Sequence, residues 1–161
     1  MTSSDKKPHH SIRTTILMRL ARAYHAAAEA FEEQTSMSAA RWRLLFLIEG
    51  AGSCTQRYLV QQIRVDPASI TRQLKRLQAE GYIERESDVH DNRYTRVRLS
   101  PMGVAHMAGL MPARNAFLNR MLEGIEPDEV EALAGMLDLI TANMGVQTSL
   151  PSMPAEGAKD K

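Results

Sequence analysis

The residues with the clearest chemical character lie in one segment, Asp66–Gly81, whose pattern predicts an amphipathic helix. Asp66 can accept a backbone N–H bond as the N-cap, and Pro67 suits the first helical position, where no N–H is needed. Gly81 suits the left-handed position that follows a last turn. Apolar residues recur at i, i+4 and i+7 and form one stripe of the helix. They are Ile70, Leu74 and Leu77.

The rest of this helix surface carries small, hydroxylated and cationic side chains, and no carboxylate appears before Glu80. The hydroxylated and cationic residues are Ser69, Thr71, Arg72, Lys75 and Arg76. Cations neutralise phosphates, and hydroxyl and guanidinium groups can bond to base edges, so this face suits DNA. A solvated charged face is the simpler alternative. Lys75 and Arg76 are expected to contact phosphate and to set affinity more than sequence choice.

A β-hairpin is predicted directly after this helix. Its first strand covers residues 82–86 and its second covers 93–99, where polar and apolar side chains alternate. A polar turn joins the strands. A helix followed by a hairpin with a charged tip is typical of a winged helix. In that fold the helix enters a major groove, and the tip reaches phosphates or the neighbouring minor groove.

A shorter helix, Thr55–Ile63, is predicted before the cationic one, with Thr55 as its cap. As the first helix of a helix-turn-helix it would lie across the DNA backbone. Gln56 and Arg57 at its N-terminus could then contact phosphate, helped by the helix dipole. For Arg57 a solvated helix end is an equally good interpretation.

Short motifs run in register from about Ser38 to Met102, and the most specific is Asp91-Asn92-Arg93 followed by Val97-Arg-Leu-Ser100. The others are Arg41-Trp-Arg-Leu-Leu45, Thr55-Gln56, Val65-Asp-Pro-Ala-Ser-Ile-Thr-Arg72 and Leu77-Gln-Ala-Glu-Gly-Tyr-Ile-Glu-Arg85. Together they resemble the MarR family of bacterial transcription regulators. The resemblance implies a sequence-specific DNA-binding regulator, expected to be a repressor.

The resemblance also implies roles for individual residues. Ser69, Thr71 and Arg72 would read base edges. In the wing, Arg93 would enter the minor groove while Asp91 holds its guanidinium in place, although an ordinary hairpin salt bridge is the alternative. Asn92 replaces an arginine that many members carry there.

Regulators of this family often bind small aromatic acids in a crevice between the dimer helices and the DNA-binding lobe. By resemblance, the candidate ligand-binding residues are Tyr24, His25, Trp42 and Arg43. The simpler interpretation is that Trp42 belongs to the core and that His25 is an ordinary packed or surface residue.

The flanking regions predict long apolar helices: one over Ser11–Gln34, one from Ser100 to about Glu123, and one after Glu126. The apolar surface of these helices is more than one winged-helix lobe can cover, so we expect a symmetric homodimer that forms through them. Two such reading heads predict a pseudo-palindromic operator with half-sites about one helical turn apart.

We therefore expect a mainly α fold with a small antiparallel β-wing (α+β), in which a winged helix-turn-helix lobe adjoins a helical dimerisation region. The expected units are a disordered tail, an N-terminal dimerisation helix, the DNA-binding lobe, C-terminal dimerisation helices and a second disordered tail. Their ranges are residues 1–10, 11–37, 38–100, 101–146 and 147–161.

Length, net charge and the motifs that the sequence lacks limit the possible functions further. The 161 residues fit one domain, and a net charge of +1 means that DNA binding must be argued from local charge. No apolar run is long enough for a membrane span and the polar start is no signal peptide, so a cytoplasmic protein is expected. We find no paired carboxylates, phosphate loop, metal-ligand spacing or nucleophile motif, which argues against an enzyme, a metal site and a cofactor.

Two alternatives remain open from the sequence. Cys54, the single cysteine, could be a redox-sensing thiol, although a small buried side chain is the simpler interpretation. The winged helix could instead bind another protein, which would predict acidic or apolar residues on the face that carries Arg72, Lys75 and Arg76.

Overall fold

The protein is described by a computed structural model over residues 8–87 and 95–146, with side chains from Ile12 onward. Helices dominate, and a small three-stranded antiparallel sheet accompanies them, which confirms the predicted fold class. The helices are α1 (Pro8–Thr35), α2 (Ala39–Ala51), α3 (Gln56–Ile63), α4 (Pro67–Ala79), α5 (Pro101–Met121) and α6 (Pro127–Asn143). The strands are β1 (Cys54–Thr55), β2 (Ile83–Ser87) and β3 (Thr95–Leu99).

Strand β3 is the centre of the sheet and pairs antiparallel with both neighbours. Val97 lies opposite Cys54 on one side and Arg85 on the other. Side chains alternate as predicted, since Val97 is fully buried whereas Arg96 and Arg98 are exposed. The described part of the hairpin therefore has one face on the core and one face in solvent.

The core lies between α2, α3, α4 and the sheet. Its fully buried side chains are Leu44, Leu45, Ile48, Leu59, Ile70, Leu74 and Val97. The predicted apolar stripe of α4 supplies two of them, and its third member, Leu77, is 2% exposed. Because this stripe faces inward, the remaining surface of α4 must face outward.

Local signals begin and end α4 as predicted. The Asp66 carboxylate accepts hydrogen bonds from the backbone N–H groups of Ala68 (3.0 Å) and Ser69 (2.8 Å). At the other end Gly81 has a φ of +81°, and the N–H of Tyr82 reaches back to the carbonyl of Leu77 at 2.9 Å. This is a Schellman ending, which needs a left-handed residue and so favours glycine.

Several element boundaries differ from the predicted ones. Helix α1 begins at Pro8 instead of Ser11, because a proline can occupy the first helical position, and it ends at Thr35. Helix α5 ends at Met121, two residues before the predicted end. Residues 1–7, the predicted hairpin tip and residues 147–161 lie outside the described residues. None of the helices in the described ranges is long and apolar enough to cross a lipid bilayer.

The beginning of α5 packs tightly on the residues that follow α4. Ser100 caps α5 by accepting from the N–H of Gly103 at 2.9 Å, and its hydroxyl donates to the carbonyl of Gly81 at 2.5 Å. The N–H of Ser100 donates to the carbonyl of Tyr82 at 3.0 Å. A Cβ added at Gly103 would lie 2.0 Å from that Tyr82 oxygen. This junction sets the direction in which the long α5 leaves the lobe.

Gly103→Ala is expected to lower the free energy of unfolding by about 1–3 kcal/mol, because the added methyl group must displace backbone. Gly109→Ala, on the same helix where a Cβ meets nothing within 4 Å of its own chain, is the control. It should raise stability by about 0.5–1 kcal/mol through helix propensity. Urea unfolding at one fixed protein concentration measures both variants. Equal effects at the two glycines would contradict the packing described here.

Candidate nucleic-acid interface

Helices α3 and α4 form the helix-turn-helix, and two of the predicted DNA-contact residues join them. The turn contains Arg64 in a left-handed conformation, with φ 55° and ψ 42°. The Gln56 amide donates to the Thr71 hydroxyl at 2.7 Å, and that hydroxyl donates to the carbonyl of Pro67 at 2.8 Å. Part of the hydrogen-bonding capacity of Gln56 and Thr71 is therefore used to fix the two helices to each other.

The outward face of α4 presents the predicted cations to solvent. Arg72, Lys75 and Arg76 are exposed, and Arg57 is exposed at the beginning of α3. Ser69 is half-buried, and its hydroxyl accepts a long bond of 3.4 Å from the Gln73 amide. The capped helix thus carries a polar, cationic surface on the side opposite the core, which is the arrangement that a major groove requires.

Arg76 has an acidic partner one turn further along the same helix, and that partner is shared with a residue of α2. The Nε of Arg76 donates to the Glu80 carboxylate at 2.9 Å, and Glu80 also accepts from the guanidinium of Arg41 on α2. These hydrogen bonds, first from Arg41 and then from Arg76, lower the pKa of Glu80. The Arg76 side chain is nevertheless 77% exposed, so it can still turn towards a phosphate.

Ion pairs and hydrogen bonds order the base of the hairpin. The Arg98 guanidinium lies 2.7 Å from Glu84 and 2.8 Å from Glu86, both on the paired strand β2. The Nε of Arg96 donates to the Ser53 hydroxyl at 3.2 Å. Asp91 and Arg93, the predicted wing residues, lie outside the described residues.

The structure places the four predicted ligand-binding residues in three different surroundings. Tyr24 and His25 are exposed neighbours on α1, with ring centroids 5.5 Å apart. Trp42 belongs to an aromatic cluster, 5.4 Å from the Phe31 ring and 4.9 Å from the Phe46 ring. Arg43 is half-buried, and its Nε has no hydrogen-bond partner among the described residues. None of these four lines either of two cavities, of about 510 and 420 Å³, that described residues form.

The larger cavity, about 510 Å³, lies instead where the end of α1, the beginning of α2, α4 and α5 meet. Arg41, Gln73, Arg76, Tyr82 and His106 are among its lining residues. Sequence reasoning named Arg41 and Tyr82 only as parts of family motifs and missed the cavity. No local pattern could have revealed it, because its walls come from four separate helices.

Cys54 lies on β1 and is 5% exposed. Burial raises the pKa of its thiol to about 11, although the nearby Arg96 acts in the opposite direction. A thiolate is the reactive form of cysteine, so this environment suits a small buried side chain and disfavours a sensing thiol.

A capped, outward-facing cationic helix, a shorter helix fixed before it and an antiparallel pair of strands behind it define the winged helix-turn-helix class of DNA-binding proteins. Comparison with known proteins agrees. A family model described as "MarR family" matches residues 35–93. The HTH-type transcriptional regulator YdgJ of Bacillus subtilis is 31% identical over 114 residues, which are 71% of this chain and 70% of YdgJ.

Solved structures share the fold. A MarR variant from E. coli in complex with operator DNA superposes with a TM-score of 0.72, at 23% identity, covering 84% of this chain and 99% of the other. BpsR of Bordetella bronchiseptica, whose DNA binding is regulated by 6-hydroxynicotinic acid, gives 0.71 at 23% identity, covering 79% and 98%. The chain belongs to the MarR family of transcription regulators. It is therefore a DNA-binding regulator and, as the sequence predicted, not an enzyme.

Cys54 is expected to resist modification in the folded protein. At about pH 8 a thiol with a pKa of about 11 is roughly one-thousandth thiolate, so iodoacetamide should react at least about 100-fold more slowly than with a free cysteine. Mass spectrometry after timed labelling measures the rate. Unfolding in urea should restore ordinary reactivity and serves as the control. Fast labelling of the native protein would reopen the thiol-sensing alternative.

Proposed function

We propose that this MarR-family regulator is a cytoplasmic homodimeric repressor, that it binds a pseudo-palindromic operator, and that a small aromatic acid releases it from DNA. The outward face of α4 is the observation that carries the DNA-binding part. It holds Arg72 and Lys75 in solvent on a helix capped at both ends and anchored by a buried apolar stripe.

The roles proposed for the residues of this surface follow from their side-chain chemistry. Ser69, Thr71 and Arg72 lie nearest the N-terminal half of α4 and are proposed to read base edges, with Arg72 suited to a guanine through two parallel bonds. Lys75, Arg76, Gln56 and Arg57 are proposed to contact phosphate. For the wing, we propose that Arg93 enters the minor groove with Asp91 as its partner.

The surface of α6 supports the homodimer. None of its residues is buried within the single chain, although it is rich in large apolar side chains. The exposed ones are Leu133, Met136, Leu137, Leu139 and Ile140. On α1, Ile12, Ile16 and Leu17 are also exposed. Exposed apolar helix surface of this kind is typical of an interface, and a second copy is the partner expected of a two-fold operator.

An aromatic acid as effector is supported by chemistry and by the relative BpsR, which responds to 6-hydroxynicotinic acid. Tyr24, His25, Trp42 and Arg43 stay a prediction as its binding residues. An effector that binds between the dimer helices and the reading head would change the separation of the two heads. Both heads must dock together, so the operator would lose affinity.

Nothing in the described residues favours the two alternatives. Cys54 is buried with a raised pKa, and the α4 face carries cations where a protein-binding face would carry apolar or acidic residues. The regulator proposal is therefore the one to test first.

Arg72→Ala and Lys75→Ala are expected to weaken DNA binding in different ways. Loss of Arg72 should cost about 1–3 kcal/mol of discrimination between operator and unrelated duplex. Loss of Lys75 should lower the affinity for the operator and for the unrelated duplex alike. It should also reduce the slope of log affinity against log salt by about 0.9 for each lost phosphate contact, hence about 1.8 for a symmetric dimer. Fluorescence anisotropy with DNA from the gene's own upstream region measures both quantities.

Arg120→Ala is the matched control, because Arg120 is an exposed cation in the last turn of α5, about 30 Å along the helix from its lobe end. It should leave affinity and salt slope unchanged, whereas Arg93→Ala should weaken operator binding. Equal loss for Arg72→Ala and Arg120→Ala would contradict the proposed interface. Equal, weak binding of the wild type to every duplex, including a selected random-sequence pool, would contradict sequence-specific regulation.

Leu137→Glu is expected to break the dimer, because it places a charge in the apolar surface of α6. Sedimentation equilibrium should then give a monomer, with operator affinity reduced by at least about tenfold, since one head must bind alone. Glu131→Gln, an exposed polar change on the same helix, should remain dimeric. A Leu137→Glu protein that stays dimeric would argue for a different interface.

A further inference from the structure

A row of charged side chains runs along one side of α4 and ends at its C-cap. Arg72, Arg76 and Glu80 follow one another at intervals of four residues, so neighbouring members stand about 5–6 Å apart on the helix surface. Helix α4 itself, from Pro67 to Ala79, contains no carboxylate. The row therefore carries two cations proposed to contact DNA and ends with an anion that can compete with phosphate for the nearer one.

The two oxygens of the Glu80 carboxylate have different partners. Oε1 accepts from the Nε of Arg76 at 2.9 Å, and Oε2 accepts from the guanidinium of Arg41 on α2. The hydrogen bond from Arg41, and after it the one from Arg76, lowers the pKa of Glu80, so the carboxylate is ionised at neutral pH. A full negative charge is thus shared between an arginine of the core lobe and an arginine of the proposed DNA surface.

Arg41 is the fixed partner of Glu80, and Arg76 is the mobile one. The Arg41 side chain is 24% exposed, and its guanidinium carbon lies 4.8 Å from the centroid of the Tyr82 ring. The Arg76 side chain is 77% exposed. An ion pair with so exposed a member is weak, because water screens the charges and the long side chain keeps its rotamer freedom. When a phosphate competes, Arg76 is therefore the partner that can leave, while Arg41 keeps Glu80 in place.

A carboxylate beside a DNA-contacting arginine can act in two opposite ways. It can hold the guanidinium in the orientation that phosphate needs, which requires a rigid pair of parallel hydrogen bonds. It can instead compete with phosphate for the same cation. The bond from Arg76 to Glu80 is made through Nε and belongs to a mostly exposed side chain, so it fixes little geometry. Competition is therefore the larger effect of Glu80 on Arg76.

We propose that Glu80 limits the affinity of this protein for DNA, because its carboxylate competes with phosphate for Arg76 and each reading head must break the Arg76–Glu80 ion pair to make that contact. This inference rests on the proposed function, in which Arg76 contacts phosphate. Arg41 makes the exchange possible. It shares the carboxylate while Arg76 is bound to it, and it remains as the partner of Glu80 when Arg76 turns away, so no unpaired charge is left behind.

A double-mutant cycle on the full-length protein tests this competition. Fluorescence anisotropy at one salt concentration gives the affinities of the wild type, Glu80→Gln, Arg76→Gln and the double variant for the upstream duplex and for an unrelated duplex. The gain in affinity from Glu80→Gln should be about fourfold larger with Arg76 present than in the Arg76→Gln background, since an exposed ion pair four residues apart is worth about twofold for each of two heads. Both duplexes should gain alike, because phosphate contacts carry no sequence information.

Glu131→Gln is the matched control, because it removes the same charge from an exposed position on α6. It should leave the affinity for both duplexes unchanged. Glu80→Ala provides a second variant, since the amide oxygen of a glutamine can still accept from Arg76. Circular dichroism melting confirms that each variant folds. A lower melting temperature of the Glu80 variants with unchanged DNA affinity would mean that Glu80 only joins α4 to α2, and the proposal would be wrong.

Weaker DNA binding by both Glu80 variants would mean that Glu80 orients Arg76, and it would overturn the proposal. An equal gain in both Arg76 backgrounds would reduce the effect to the loss of one negative charge and would overturn it too. Either result, in a protein that prefers its operator, leaves the proposed function standing. The expected coupling without any preference for the operator would support the role of Glu80 and contradict sequence-specific regulation. A wild type that binds no duplex would overturn both.

Discussion

Burial of the apolar stripe of α4 is the constraint on which the rest of the structure depends. Ile70 and Leu74 are fully buried against α2, α3 and the sheet, and Leu77 nearly so. When one stripe of a helix is buried in the core, the opposite side of that helix must face solvent. The same three side chains that stabilise the lobe therefore also present Arg72 and Lys75, the proposed DNA contacts, to solvent.

The ends of α4 connect this reading head to the rest of the chain. At its C-terminus the Schellman turn at Gly81 brings Tyr82 under Arg41, and Ser100 bonds to the same turn as it begins α5. Glu80, which accepts from both Arg41 and Arg76, joins the same helix end to α2. The end of α4, the helix proposed to read DNA, is thus tied to α2 inside the lobe and to α5, which leaves it. A small change at this junction is well placed to move the head.

The long helices α1 and α6 leave much apolar surface exposed, because a single chain does not bury it. The lobe has a dense core, whereas α6 has no buried residue and the first half of α1 is mostly exposed. Apolar surface left in water is costly, at roughly 25 cal/mol per Å². A second copy that covers this surface would also supply the second reading head that a two-fold operator needs. Oligomerisation and recognition are linked in this proposal by the same exposed helices.

Local chemistry was enough to predict much of this protein from its sequence. Asp66, Pro67 and Gly81 predicted both ends of α4, and alternation around Val97 predicted the inward face of β3, because caps and periodicity depend only on neighbouring residues. Tertiary structure alone decided which distant groups meet. Gln56 bonds to Thr71, and Glu80 joins Arg41 39 positions away. The cavity beside Tyr82, and the absence from it of Tyr24, His25, Trp42 and Arg43, followed from the packing of four helices. Such contacts depend on how elements dock in space, which no short-range pattern encodes.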